Sequence, residues 1–362
     1  MPPLSWRQGL AQLMLLTLVG ACGSGVGNSS DVVVQPAVAS AQGDVVVYGT
    51  DDSVIHILGE PGGTRDVQPA GWSHVSDIVV GPRAVTWAAV AQDGESRYYF
   101  SDYRSQRLSS VPAGNVAQVH AQGDTFIGLN TRSSLVRFTL NGGSVSSSIE
   151  PVQGSYAFSG LAPTLLGTNS TKVFIALSAD GRLHLGGPSE VVAVSRDGSV
   201  THEALSDATR LVAAYRGAVT TKGIVVAEGT ATAEEPCGHE LTTDLLSSGT
   251  TRALRAPGPG TWLVGKFATG PAGLLATMTQ GKLDCHGQFV ASSRQSLVML
   301  SGDSWRVLGG DIRDFAPARD GYYVLQGAEL DGPHQLVYQR GNEPLKVIAE
   351  SVTNVAALGL VS

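Results

Sequence analysis

Two short stretches set reactive side chains next to one another, Cys237-Gly238-His239 and Asp284-Cys285-His286. Two thiols and two imidazoles can cross-link as a disulfide or hold a zinc ion as a Cys2His2 set. Neither spacing matches the usual zinc patterns, and an oxidising compartment favours the covalent bond. The expectation is therefore a structural Cys237–Cys285 bridge, with no metal and no other cofactor. Closing that interval would contribute about 4 kcal/mol by constraining the unfolded chain. Further side chains of ligand-binding type lie in extended stretches nearby: Arg182, His184, Glu234, Asp331 and His334. Together with His239, Asp284 and His286 they could form a binding rim, although polar insertions of this kind also serve simply as solvated loops.

Signatures of catalysis are missing. The sequence holds no Gly-x-Ser-x-Gly elbow and no His-Glu-x-x-His zinc helix. His202-Glu203 and His239-Glu240 are isolated pairs. The Asp-Gly pairs at 93, 180, 197, 320 and 331 lack calcium-loop ligand spacing and read as turns. The leading expectation is thus a non-enzymatic binding or scaffolding protein. An enzyme acting at a central depression is the alternative.

The elements that would position these residues are strands. Charged residues make up only 15% of the chain, against about 25% in an average globular protein. With 45 glycines among abundant Val, Ser and Thr, the composition favours strands and turns over helices. A repeat emerges when apolar segments are aligned on a closing glycine: VSDIVVG to Gly81, VAQVHAQG to Gly123, LAPTLLG to Gly167, TRLVAAYRG to Gly217, WLVGKFATG to Gly270, IRDFAPARDG to Gly321 and VTNVAALG to Gly359. Successive glycines are 42, 44, 50, 53, 51 and 38 residues apart, the period of a four-stranded propeller blade.

Six units are complete. Val352 to Leu358 is a first strand with no successors, while residues 44–67 supply three strands with no first strand. Joined, they make a seventh blade closed by both ends of the chain, which abolishes the open sheet edges. The expected fold is all-β, a seven-bladed β-propeller over residues 44–362. On this register Cys237 and Cys285 fall in loops between second and third strands of adjacent units, on one face of the ring. Those loops are short in the first two complete units. They lengthen in the other four, as Ala179 to Ser189, Thr230 to Gly238, Thr279 to Gln295 and Gly327 to His334.

The N-terminus carries a different message. Arg7 precedes an apolar run, Leu10 to Val19, too short to span a bilayer comfortably. It ends in Val19-Gly20-Ala21-Cys22, which resembles the lipobox of bacterial lipoproteins. That resemblance implies cleavage of residues 1–21, lipidation of Cys22, and tethering of the propeller through residues 22–43. In this family the cysteine carries diacylglycerol and usually an N-acyl chain such as palmitate. Gly23 rather than Asp follows the cysteine, which by analogy with enteric lipoproteins implies the outer membrane of the cell envelope. Loss of Arg7 makes a formal net charge of −7 one unit more negative, which argues against a nucleic-acid partner. The expected partners are the membrane through its anchor and another envelope protein or extracytoplasmic ligand, bound by a monomer.

Overall fold

The computed structural model describes residues 44–359 apart from 60–63, 69–71, 115, 131–133, 142, 152–163, 178–189, 198, 205–210, 232–238, 248–249, 286–287, 328–333 and 342. The expected signal segment, Cys22 and the tether lie outside the described residues. Every assigned element is a strand, and the strands form seven antiparallel sheets. The chain is a seven-bladed β-propeller.

Blade 1 takes β1 (Asp44–Thr50), β2 (Ile55–Leu58) and β3 (Arg65–Val67). Blade 2 follows with β4 (Ser73–Val80), β5 (Ala84–Val90), β6 (Ser96–Asp102) and β7 (Leu108–Pro112), and blade 3 with β8 (Val116–Gln122), β9 (Thr125–Asn130), β10 (Ser134–Asn141) and β11 (Ser144–Pro151). Blade 4 holds β12 (Thr164–Thr168), β13 (Lys172–Leu177), β14 (Glu190–Ser195) and β15 (Val200–Ala204). Blade 5 holds β16 (Leu211–Thr220), β17 (Gly223–Ala231), β18 (His239–Ser247) and β19 (Thr250–Ala253). Blade 6 has five strands: β20 (Thr261–Gly270), β21 (Gly273–Leu283), β22 (Phe289–Ala291), β23 (Ser296–Ser301) and β24 (Ser304–Gly309). Blade 7 is β25 (Ile312–Pro317), β26 (Tyr322–Gln326), β27 (Gln335–Gln339) and β28 (Lys346–Ala349), and the last strand, β29 (Val352–Gly359), returns to blade 1.

The returning strand pairs antiparallel with β1, from Asp44 opposite Gly359 to Thr50 opposite Val352. Blade 1 therefore reads β29-β1-β2-β3, with its first strand supplied by the far end of the chain. The side chains reinforce that seam. Asp44 Oδ1 accepts the Arg319 N–H at 3.0 Å, and Oδ2 accepts the Tyr323 hydroxyl at 3.2 Å, tying β1 to blade 7. Asn354 Oδ1 accepts the Gly49 N–H at 3.1 Å while its amide donates to the Val75 carbonyl at 2.9 Å, tying β29 to blade 2.

One apolar cluster fills each gap between neighbouring blades, and β1 shows how the sequence produces this. Val45 and Val47 point into the cluster shared with Trp72, Val85 and Trp87 of blade 2. Val46 and Tyr48, on the opposite face, pack against Tyr323, Leu325 and Leu336 of blade 7. A sheet sandwiched on both faces needs an unbroken apolar run instead of alternation, and DVVVYGT supplies it. Fully burying each such side chain stabilises the fold by about 1.5–3 kcal/mol.

One expected loop is a strand extension. Over Thr279 to Gln295, β21 runs on to Leu283 and pairs with β22, Gly281 opposite Ala291 and Leu283 opposite Phe289. The alternation of apolar Leu283 and Phe289 with polar neighbours is enough to form a hairpin, and the Phe289 ring lies against the bare Cα of Gly281. Likewise Thr230 and Ala231 belong to β17 rather than to the loop that follows it.

Candidate functional site

The innermost strand of each blade faces the ring axis, and each carries a β-bulge. The register slips at Val116/Gln118 in β8, Leu165/Gly167 in β12, Ala214/Arg216 in β16, Val264/Lys266 in β20 and Ile312/Asp314 in β25. In β29 the slip falls at Thr353, opposite Gly49/Thr50, and β4 has two, between Ser73 and Ser76 and between Ser76 and Val79. A bulge leaves one residue out of the ladder and re-aims the side chains beside it.

These bulges share one level. Hydrogen bonds between neighbouring innermost strands join Gln118 to Leu165, Arg216 to Gly265 and Lys266 to Asp314, residues 47, 49 and 48 positions apart. The same level continues through Asp314 to Val355 and Asn354 to Val75. The result is a belt of polar side chains around the axis, in two groups.

The first group is internally satisfied. Lys266 Nζ donates to Asp314 Oδ1 at 2.7 Å, to the Phe315 carbonyl at 2.9 Å and to the Val355 carbonyl at 3.2 Å. Its ammonium also lies 5.5 Å from the Phe315 ring centre. Asp314 returns the favour to the backbone, its Oδ1 accepting Phe315 N–H at 2.8 Å and its Oδ2 accepting Val355 N–H at 3.0 Å. One ion pair thereby clasps blades 6, 7 and 1.

The second group is open. Arg216 commits its Nε to the Gly265 carbonyl at 3.1 Å, which orients the guanidinium and leaves its Nη atoms without a protein partner among the described residues. His120, on β8, makes no hydrogen bond among the described residues. Burial and the neighbouring Arg216 charge push its imidazole down from 6.5 to about 4, so it is neutral at physiological pH. Asp77 lies within the bulged part of β4 with φ of 49°, a left-handed conformation costly for a residue with a side chain. It is exposed to solvent although it sits on an innermost strand. The surrounding ring pushes its carboxyl up, and Arg216, the Ser76 side chain and Lys266 pull the other way. Asp77 and Arg216 thus feel each other without forming an ion pair.

Chemically, a neutral imidazole, a carboxylate and an oriented guanidinium around one solvent-accessible axis can bind charged ligands. No group of three His, Cys, Asp or Glu able to hold a metal occurs among the described residues. A separate depression of about 510 Å³ on blade 2 is lined by Ala91, Gln92, Asp93, Arg97, Tyr99 and Ser110. Its cation is already engaged, Arg97 pairing with Glu95 at 2.6 Å.

Of the residues singled out from the sequence, the described ones, Asp284, Cys285 and His334, do not belong to this belt. Arg182, His184, Glu234, Cys237, His286 and Asp331 fall outside the described residues, as does the side chain of His239, which opens β18. Asp284 closes the β21–β22 hairpin, its Oδ1 accepting the Gln288 N–H at 2.8 Å, and Cys285 follows within that turn. The His334 ring lies against Gly327, and its carbonyl accepts Val352 N–H at 3.1 Å at the base of the closing strand. Sequence reasoning missed Asp77, His120 and Arg216. The available signal was the presence of charged or polar residues inside largely apolar first strands, such as Asp77 in β4, His120 in β8 and Arg216 in β16.

No protein-family model matches the sequence, and no match to a curated protein was found. Solved structures share the fold. The β-propeller domain of the trilobed protease from Pyrococcus furiosus superposes with a TM-score of 0.53 at 10% identity, over 86% of this chain and 96% of that one. That domain has an open velcro topology, whereas here β1 and β29 pair within one sheet. The acylaminoacyl peptidase of Pyrococcus horikoshii gives 0.53 at 9% identity over 84% of this chain, which spans only 50% of the peptidase. TolB of Acinetobacter baumannii gives 0.44 at 9% identity, with 87% of this chain and 66% of that one covered. At these identities the likeness is one of fold.

Proposed function

We propose that this chain is an exported, membrane-tethered binding propeller without enzymatic activity, anchored in a bacterial envelope through Cys22. The single observation that carries the binding reading is the open group at the axis: Asp77, His120 and Arg216 present unused hydrogen-bonding capacity to a solvent-accessible space. Covalent catalysis calls for a nucleophile in hydrogen-bond reach of its base. Asp77 bonds only to Ser76, and His120 to nothing among the described residues.

The anchor rests on the Val19-Gly20-Ala21-Cys22 box. An inhibitor of lipoprotein signal peptidase should leave a larger precursor, and unchanged size and membrane partitioning would sink the anchor. The Cys237–Cys285 bridge is supported by two facts: Cys285 stands as a disulfide-bonded half-cystine, and the chain has only three cysteines. With Cys22 reserved for lipid, Cys237 is the remaining partner. For the binding role itself, crosslinking on intact membranes followed by affinity capture of the full chain should recover one envelope partner or ligand. Capture of nothing above a propeller control would count against it.

A second reading, an enzyme at the central channel, draws on the same convergence of a neutral imidazole with a carboxylate. It requires turnover that His120→Gln abolishes.

A further inference from the structure

We propose that the axial channel binds a small zwitterion of the amino-acid type, its anionic group on the Nη atoms of Arg216 and its ammonium group on the Asp77 carboxylate. This deepens the binding reading and rests on it.

Charge balance and hydrogen-bond satisfaction select the ligand. At the belt, Lys266 and Asp314 neutralise each other at 2.7 Å and spend their remaining capacity on backbone groups of blades 7 and 1. Among the described residues, Arg216 and Asp77 are two opposite charges of the innermost strands with no ion-pair partner, and Arg313 adds a further cation at the β25 bulge. Arg216 and Asp77 both stand on innermost strands joined at the belt, β4 through Val75 and β16 through Arg216 itself, and no ion pair joins them among the described residues. Two opposite charges held apart on one ring, each without an ion-pair partner among the described residues, form an arrangement that a ligand can satisfy. A simple anion would satisfy Arg216 but face the Asp77 carboxylate, and a simple cation would satisfy Asp77 but face Arg216. An apolar ligand would desolvate both without compensating either. Only a ligand carrying both charges answers both groups, and discrimination against single charges then follows from repulsion as much as from attraction.

The supporting construction is specific. The Arg216 guanidinium is fixed by the Gly265 carbonyl at 3.1 Å, so its fork is pre-organised for a carboxylate or phosphate. Gly265 leaves no room for a larger residue, since a Cβ there would stand 2.5 Å from Gln295 Nε2 and 2.8 Å from Thr277 Oγ1. Asp77 is held at a left-handed backbone position next to Ser76, in the innermost strand with two register slips. His74 in the same strand shares the left-handed conformation, with φ of 53°, so the backbone of β4 is strained on either side of Val75 and Ser76. His120, on the innermost strand β8, is neutral and unbonded among the described residues, and can donate or accept.

The imidazole also supplies the assay. With histidine labelled in the full chain and the His120 Cε1–H resonance assigned from a His120→Gln variant, four probes are titrated at neutral pH: glycine, γ-aminobutyrate, acetate and ethylammonium. The expected result is a saturable shift with at least one zwitterion, and binding of acetate and ethylammonium weaker by about tenfold or more. Arg216→Gln and Asp77→Asn should each weaken the zwitterion by a similar factor. Because Asp77 sits in a strained bulge, Arg216→Lys serves as a milder second variant, keeping the charge while losing the fork, and should show an intermediate loss. No shift with either zwitterion, or acetate binding as tightly as both, overturns the proposal. A silent titration with an envelope partner still captured would overturn this site alone, whereas failure of both would overturn the binding reading as well.

Discussion

Removing either half of the Lys266–Asp314 clasp should loosen the ring closure, by different amounts. In Asp314→Ala the Lys266 ammonium loses its counter-charge, and the Val355 and Phe315 N–H groups lose their acceptors at 3.0 and 2.8 Å. A charge-assisted hydrogen bond contributes about 1.5–3 kcal/mol, and a buried orphaned donor costs about 1–3 kcal/mol. The Lys266 side chain is 38% exposed and Asp314 only 19%, so water can re-solvate the lysine and the total settles near ~3 kcal/mol. Lys266→Met leaves Asp314 its two backbone donors and should cost about 2 kcal/mol. For a domain of this size the melting point should fall by about 6 °C and about 4 °C respectively. In the double mutant the losses should overlap, giving a coupling of about 1.5 kcal/mol. Urea unfolding measures these energies, and hydrogen exchange locates them: the Val355 amide should exchange faster in Asp314→Ala while β9 and β10 of blade 3 are unaffected. Additive losses, with coupling below about 0.5 kcal/mol, would show that the pair behaves as a screened surface ion pair and refute the clasp.

Three further outcomes follow from the same geometry. His120 in the folded chain has its imidazole lowered from 6.5 to about 4, so the unfolded state takes up the proton first; stability present above pH 6.5 should be lost on acidification towards pH 4, by about 3 kcal/mol, and His120→Gln should remove that slope relative to the parent. Gly49→Ala would put a Cβ 2.6 Å from Asn354 Oδ1 at the seam, and removal of Val352–Ser362 would take away the first strand of blade 1; the first should lower the melting point by several degrees and the second should abolish cooperative unfolding, whereas a truncated chain melting like the parent would contradict closure by β29. Non-reducing mass spectrometry should find the Cys237 and Cys285 peptides linked, with reduction costing about 4 kcal/mol; two free thiols refute the bridge.

Much of the fold was legible because a propeller repeats its grammar. A glycine recurs at or near the end of each first strand, although β16 runs on past Gly217 to Thr220 and β25 stops at Pro317, short of Gly321. VTNVAALG lacked successors and DVVVYGT lacked a first strand, so the seam between β29 and β1 could be read from counting. The β21–β22 extension was less visible: a seventeen-residue polar stretch reads as a loop unless the short pairing of Leu283 with Phe289 is noticed. The site was harder. Polar residues in long loops attract notice because loops carry function, yet Asp284 turned out to brace its own turn. Asp77, Arg216 and Lys266 lie within strands, where a bulge shifts the inward–outward alternation by one residue. Without knowing where the bulges fall, the face on which each charge emerges cannot be assigned.

The bulges also explain why the axis has two kinds of residue. The ladders of the seven sheets run outward within each blade, so neighbouring innermost strands are held together by the apolar clusters between blades and by polar side chains, several of them re-aimed at the bulges. Gln118, Lys266, Asp314 and Asn354 do this, each bonding to a neighbouring strand's backbone. Two of them, Asp314 and Asn354, hold the seam itself, so substitutions there will change stability whatever else they change. Arg216 shares the position in the repeat but gives the next blade only its Nε, and Asp77 and His120 give no neighbouring blade a hydrogen bond among the described residues. Arg216 therefore joins through its Nε alone, while Asp77 and His120 carry no part of the joining among the described residues. That separation makes the axis testable: variants at Asp77 and His120 should alter ligand response at nearly constant melting temperature at neutral pH. Arg216 variants should alter both because its Nε ties blade 5 to blade 6, and variants at Lys266, Asp314 and Asn354 should alter the melting temperature alone.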